Sequence, residues 1–237
     1  MNDLKSIMAE LESLGSAQTK KTHMNHGAPE NKTFGVKVGD LKPIVKRIKK
    51  NYELAKALFD TGNSDAMYLA GLIADEKKMT KTDLQKWAKG ATWSYISEFA
   101  VPWVAAEGPF GWELALEWIQ SDDEKIASCG WNTLVFHIGF HPDEQLDKKQ
   151  VEKLLKQIEK DITNAENRVR YCMNGFIIAV GSYIPSLTEK AKLTAAKIGK
   201  VSVDMNGTAC KVPDAIAYIE KIESMGRVGQ KRKNMRC

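Results

Sequence analysis

Apolar residues recur at three- and four-residue spacings along most of this chain. Leu41, Ile44, Val45 and Ile48 form one such stripe. It predicts an amphipathic helix with Asp40 as N-cap and Pro43 in the first turn, where a missing N–H is tolerated. Lys42, Lys46, Lys49 and Lys50 fall off the stripe. Leu54, Leu58 and Phe59 begin a second helix, closed by turn residues 61–64. Met67, Leu69, Leu72 and Ile73 mark a third, and the spacing of Thr80 and Asp83 predicts a capping box for a fourth.

The later half repeats this design. Glu53-Leu54-Ala55 recurs as Glu113-Leu114-Ala115, followed by a polar turn at residues 121–123 and a helix through Ile126 and Leu134. Val151 to Ile162 and Val169 to Val180 make a further pair, and Leu187 to Ile198 and Pro213 to Ile222 another. The longest alternating run, Lys200 to Asp204, is too short to found a sheet. Helix pairs of this size stacked in series describe an all-α fold, an α-solenoid. The expected organisation is one repeat domain over residues 1–225 and a basic, flexible C-terminal tail over 226–237.

Composition narrows the class without deciding the partner. With 237 residues, 43% hydrophobic and 27% charged, the chain resembles an ordinary globular protein. No apolar run approaches the ~18 residues of a membrane span, and the acidic start does not read as a signal peptide. A cytoplasmic location is expected. Four scattered cysteines, with no Cys-x-x-Cys pair, suggest neither a disulfide framework nor a zinc site. The net charge is only +5, but its distribution is uneven. Nine basic residues lie between Ala17 and Lys50, and Arg227, Lys231, Arg232, Lys233 and Arg236 fill the tail without an acid. Glu107 to Lys125 is acidic. Such asymmetry suits a phosphate-facing surface, and equally suits solvated helix faces.

Three places could carry chemistry. The pairs His23/His26 and His137/His141 have helical spacing but lack a third metal ligand. The aromatic stretch Trp87 to Trp103 is kinked or broken by Pro102. Within it Tyr95, Phe99 and Trp103 share a stripe, and Glu98 lies on another face. Arg168 and Arg170 open a helix whose dipole favours anions at that end. They read either as a phosphate cradle or as salt-bridge partners of Glu166 or a neighbouring helix.

Taken together these segments resemble the AlkD-like DNA alkylation repair proteins, which are built of HEAT-like repeats. The clearest match is the early signature Phe34-Gly35-Val36, a short turn, then Leu41-Lys42 before an apolar helix. Val101-Pro102 and Gly175-Phe176 add support, and the likeness spans roughly residues 4 to 224. The resemblance implies a concave basic face holding double-stranded DNA, damaged or distorted, and a monomer needing no metal or cofactor. Candidate phosphate ligands are Lys42, Lys46, Lys49, Lys50, Arg168, Arg170, Arg227, Lys231, Arg232 and Lys233.

Family members that excise N3- or N7-alkylated purines use a carboxylate to stabilise an oxocarbenium-like sugar, with aromatic rings beside it. Their active segment runs Trp-Trp-Asp-x-x-Asp. Here the segment is Trp93-Ser94-Tyr95-Ile96-Ser97-Glu98, which keeps the first tryptophan and the last acid alone. An arginine of active members is missing, with Ser128 near that position, and a late tryptophan corresponds to Phe176. The resemblance implies Glu98 as the catalytic carboxylate and Trp93 and Phe176 as sugar-facing aromatics. The departures leave two DNA readings open, alkylpurine excision and non-catalytic binding of branched or distorted DNA. A protein-interaction scaffold stands beside them.

Overall fold

A computed structural model gives the structure of residues 3–236. Among these residues there are thirteen α-helices and no strand. Two helices, α1 (Leu4–Leu14) and α2 (Ala17–Asn25), precede the first stripe read above. The predicted helices follow as α3 (Val38–Ile48), α4 (Tyr52–Asp60), α5 (Ser64–Ile73) and α6 (Lys81–Gly90). After a π-helical turn at Ile96–Ala100 come α7 (Val101–Glu107), α8 (Gly111–Trp118) and α9 (Glu124–Phe140). The last four are α10 (Lys148–Asp161), α11 (Asn167–Tyr183), α12 (Thr188–Ile198) and α13 (Ala215–Ser224).

An inner row runs through the molecule. Helix α5 packs on the π turn and α7, α7 on α9, α9 on α11, and α11 on α13. Outer helices cover it, α4 on α5, α8 on α9, and α12 on α11. The sequence explains the division. Helix α10 has four buried residues on one stripe, Val151, Leu154, Leu155 and Ile158, and lies at the surface. Helix α5 is buried at every position, as a helix apolar on all sides must be. Gly71 lets α5 approach the π turn, since a Cβ there would sit 2.8 Å from that of Ala100.

Helix ends follow the polar punctuation. Thr80 and Asp83 form the expected reciprocal capping box. Asp40 is not an N-cap, because α3 starts earlier, at Val38. The cause lies upstream. The N–H groups of Phe34, Gly35 and Val36 donate to the buried Asp65 carboxylate at 2.7, 3.1 and 2.9 Å, fixing an extended entry into α3. Gly35 takes a φ of +86°, and a Cβ there would lie 2.4 Å from the Lys20 nitrogen. The early signature is thus a backbone cradle around one carboxylate.

The C-terminal segment departs from expectation. Instead of a flexible tail, it lies across the C-terminal ends of the inner helices. Gly229 N–H donates to Ser182 O at 2.9 Å, and Arg232 N–H to Gly139 O at 2.8 Å. Lys231 Nζ donates to Ile138 O, and Met235 N–H to Glu107 Oε1 at 2.7 Å. Arg236 reaches Ala74 O at 2.6 Å, Glu76 at 2.8 Å and Glu107 at 3.1 Å. Helix C-termini leave carbonyls without intrahelical donors and carry the negative end of the dipole, so a basic strand is a complementary cover. Among the described residues no helix is long and apolar enough to cross a membrane.

Two predictions follow from these contacts. Removing Arg236 leaves the buried Glu107 without its cation and Glu76 with Lys50 alone, so Arg236→Ala should cost about 3 kcal/mol in urea denaturation. An unchanged midpoint would mean the tail is undocked in solution. His137, near the end of α9, is packed against His141 (ring centroids 3.9 Å) and Trp112 (5.2 Å). Burial, reinforced by His141, pushes it down to about 3. The unfolded chain gains this proton near pH 6.5 and the folded one does not, so its contribution is complete above pH 6.5 and is lost as pH falls. Between pH 6.5 and 5 wild type should lose about 2 kcal/mol more than His137→Asn in matched denaturation curves. Parallel curves would refute the buried neutral imidazole.

Candidate nucleic-acid interface

The π turn is set by one proline. Pro102 lacks the N–H that would bond the carbonyl of Glu98 four residues back. The Val101 N–H bonds instead to Ile96 O, five residues back, and one residue bulges into the turn. The orphaned Glu98 carbonyl accepts from Asn132 Nδ2 of α9 at 2.8 Å. Glu98 is thereby held at the junction of α7, α9 and α11, on the inner row.

Its side chain is 1% exposed. Both carboxylate oxygens are taken by Arg168, Nε to Oε1 at 2.7 Å and Nη2 to Oε2 at 2.5 Å. Of the two readings of Arg168, the ion pair is the one formed, with Glu98 rather than Glu166 as partner. Glu124 Oε1 accepts from the Arg168 backbone N–H at 2.6 Å, and the guanidinium lies 4.5 Å from the centre of the Tyr171 ring. Burial holds Glu98 above the ordinary carboxylate range despite the opposing arginine. Burial disfavours the Arg168 cation, but the Glu98 bonds outweigh it and raise Arg168 above its usual value.

The aromatics implied by the resemblance are not arrayed around this carboxylate at a surface. Trp93 is 3% exposed and stacks on Tyr95 with centroids 4.4 Å apart. Phe176 is 0% exposed and sits edge-on to Trp131 at 5.4 Å. It belongs to the core, with no face open to a ligand. Tyr95, Phe99, Tyr171, Arg168 and Met205, with Glu124 and Lys125 among the polar residues, line a cleft of about 330 Å³ here. Tyr171 escaped the sequence reading, although it stands one helical turn after Arg168.

The basic residues fall into separate groups. Lys42 and Lys46 flank a shallow hollow of about 180 Å³ with Leu72. Lys50 bonds Glu76 at 2.5 and 2.6 Å, and Glu76 also holds Arg236, so the first basic helix and the tail meet at the end of α5. Lys49 is exposed at the end of α3, with a φ of +60°. Arg227, Lys231, Arg232 and Lys233 line a cleft of about 640 Å³ against α11 and α13. Lys231 is tied to Asp143 at 3.0 Å; Arg227, Arg232 and Lys233 are exposed. Arg170 is half-buried, its Nε without a partner in the structure. The acidic stretch is largely committed between helices, with Glu107 on Arg236, Glu113 on Lys81, Glu117 on Gln85 and Glu124 on Arg168. Among the described residues no three His, Cys, Asp or Glu side chains gather as a metal site.

Residues 7–211 match the DNA alkylation repair enzyme family. The chain belongs to that family. An uncharacterised protein of Listeria monocytogenes is 40% identical over 217 residues, covering 90% of this chain and 93% of its own. One of Listeria innocua is 39% identical with the same coverage. A solved structure is also similar, from a new family of proteins related to the HEAT-like repeat DNA glycosylases with affinity for branched DNA structures. It shares 37% identity and a TM-score of 0.91, over 99% of this chain and 100% of that one. The stacked helix pairs are thus HEAT-like repeats, as the signature implied. In this member of the DNA alkylation repair family, the Glu98 carboxylate is closed by an arginine from α11.

That closure is measurable. Glu98→Gln leaves the Arg168 cation in a mostly buried site without its anion, and should destabilise the fold by about 3 kcal/mol. Adding Arg168→Met should recover most of the loss, because both charges are then gone. Additive losses in the double variant would mean that the two groups are uncoupled in solution.

Proposed function

We propose that this protein binds branched or otherwise distorted double-stranded DNA through backbone contacts, and does not excise alkylated bases. The observation that carries the second half is the sealed carboxylate. Stabilising a cationic sugar requires an anion facing it across a short gap, and both oxygens of Glu98 already face Arg168. Core placement of Phe176 supports the same view, as does the affinity of the similar solved protein for branched DNA.

Binding is a matter of charge and shape. Lys42, Lys46 and Lys49 at one end, Arg170 on α11, and Arg227, Arg232 and Lys233 along the tail offer cations to phosphates over an extended surface. Lys50 and Lys231 stand beside them with positions fixed by acidic partners. Phosphate contacts of this kind position a duplex without reading its sequence. A branched substrate presents more than one backbone to such a surface, which favours it over a linear duplex.

Affinity for a four-way junction and for a linear duplex, measured across a salt series, tests the reading. Log affinity should fall with log salt, at a slope near −0.9 per phosphate neutralised. Lys42→Ala with Lys46→Ala should flatten that slope by roughly two such contacts. Methylated duplex incubated with the same protein should yield no free 7-methylguanine. Release that disappears in Glu98→Gln while junction binding is kept would make this an excising enzyme, and a flat salt response would leave a protein-interaction scaffold.

A further inference from the structure

The cleft above the Glu98–Arg168 pair has a composition that phosphate binding does not explain. Its walls include the half-buried rings of Tyr95, Phe99 and Tyr171, together with Arg168 and the Met205 thioether. Trp93 lies flat beneath Tyr95, with planes 13° apart, so the tyrosine is supported from behind as a platform. Arg168 is fixed more firmly than a surface arginine. Glu98 grips it by two bonds, Tyr171 stacks on it, and its Nη1 lies 3.7 Å from Met205 Sδ. Only a quarter of its side chain is exposed. A cation already paired and stacked is a poor phosphate ligand, but a guanidinium held by Glu98 and laid over Tyr171 is a flat and rigid group.

We propose that this cleft receives one unpaired nucleobase from the branch point of a bound DNA, stacking it among Tyr95, Tyr171 and the immobilised Arg168 guanidinium. The proposal rests on the DNA-binding reading above and adds a ligand to it. Aromatic and guanidinium planes take any base by its π-face, without sequence preference. A volume of about 330 Å³ is at the small end of ligand clefts, roughly 300–1,000 Å³, and suits a single base with its sugar rather than a base pair. A paired base has both faces covered by its stacked neighbours, so it cannot enter. Branch points and bulges supply bases whose faces are free. Glu98 and Arg168 then have a defined duty here: the ion pair keeps the guanidinium flat and in place before any DNA arrives, so little side-chain freedom is lost on binding.

The test compares two junctions identical except at one unpaired position, which carries adenine in one and an abasic spacer in the other. The base-bearing junction should bind wild type about tenfold more tightly, the order expected for one stacked base. Tyr171→Ala should bind both alike with the salt slope kept, and Tyr171→Phe should restore the difference. Equal wild-type affinities for the two junctions, with salt-dependent binding intact, would overturn the cleft proposal alone. That comparison needs no altered protein and decides the matter even if Tyr171→Ala fails to fold. No salt-dependent binding of either junction would overturn the DNA reading and this proposal together. Free deoxyadenosine in millimolar excess should not compete; competition would assign the cleft to a soluble nucleoside and overturn the proposal.

Discussion

A buried carboxylate and a partly buried guanidinium, locked to each other by two hydrogen bonds, organise the middle of this molecule. The Glu98–Arg168 pair joins the π turn to α11 across the inner row, and each partner makes the other tolerable in a site with little water. Its location follows from backbone chemistry. Pro102 withholds an N–H, a π bulge results, and Asn132 accepts the duty of satisfying the stranded carbonyl. Tyr171 lies against the guanidinium, and Tyr95 lines the same cleft. Both oxygens of Glu98 face an arginine, so the carboxylate has no free edge to offer a ligand.

The same electrostatic logic operates at the helix ends. Inner helices present their C-terminal carbonyls along one edge, where Lys231 and Arg236 donate to them. Glu76 and Glu107 add formal charge to that edge and draw Arg236 in. The near balance of acids and bases in the overall composition hides this arrangement, because most of the acidic stretch from Glu107 to Glu124 is consumed by neighbours from other helices. What remains unpaired and exposed is predominantly basic, at Lys42, Lys46, Arg227, Arg232 and Lys233.

Helical periodicity made the architecture legible. The stripes of α3, α4 and α10 are strong because one face of each is buried, and the polar cap of Thr80 and Asp83 marks the start of α6. Asp40 misled because a cap is a local signal, whereas the start of α3 is fixed by Asp65, some thirty residues on. The site was less legible for the same reason. Glu98 and Arg168 are 70 residues apart, and nothing in their spacing says that they meet. The burial of Phe176 follows from α11 having α9 on one side and α12 on another, a tertiary fact that a single helix stripe only half declares. The tail reads as disordered by composition alone, since its partners are backbone carbonyls, which sequence does not distinguish.

The docked tail changes the mechanics of the whole array. Stacked helical repeats ordinarily contact only their neighbours, so they fray from the ends and flex like a spring. Here a strand leaving α13 returns past α11, α9 and α7 to the end of α5, bridging 160 residues between Arg236 and Glu76. A one-dimensional stack becomes a closed circuit. Unfolding cannot begin at the C-terminal repeat without releasing the N-terminal half, so the chain should behave as one cooperative unit. The C-terminal ends of the four inner helices are thus held to one another by a tie. Any nucleic acid that lies against such a frame must itself supply the deformation, which is most readily done by one already bent or branched.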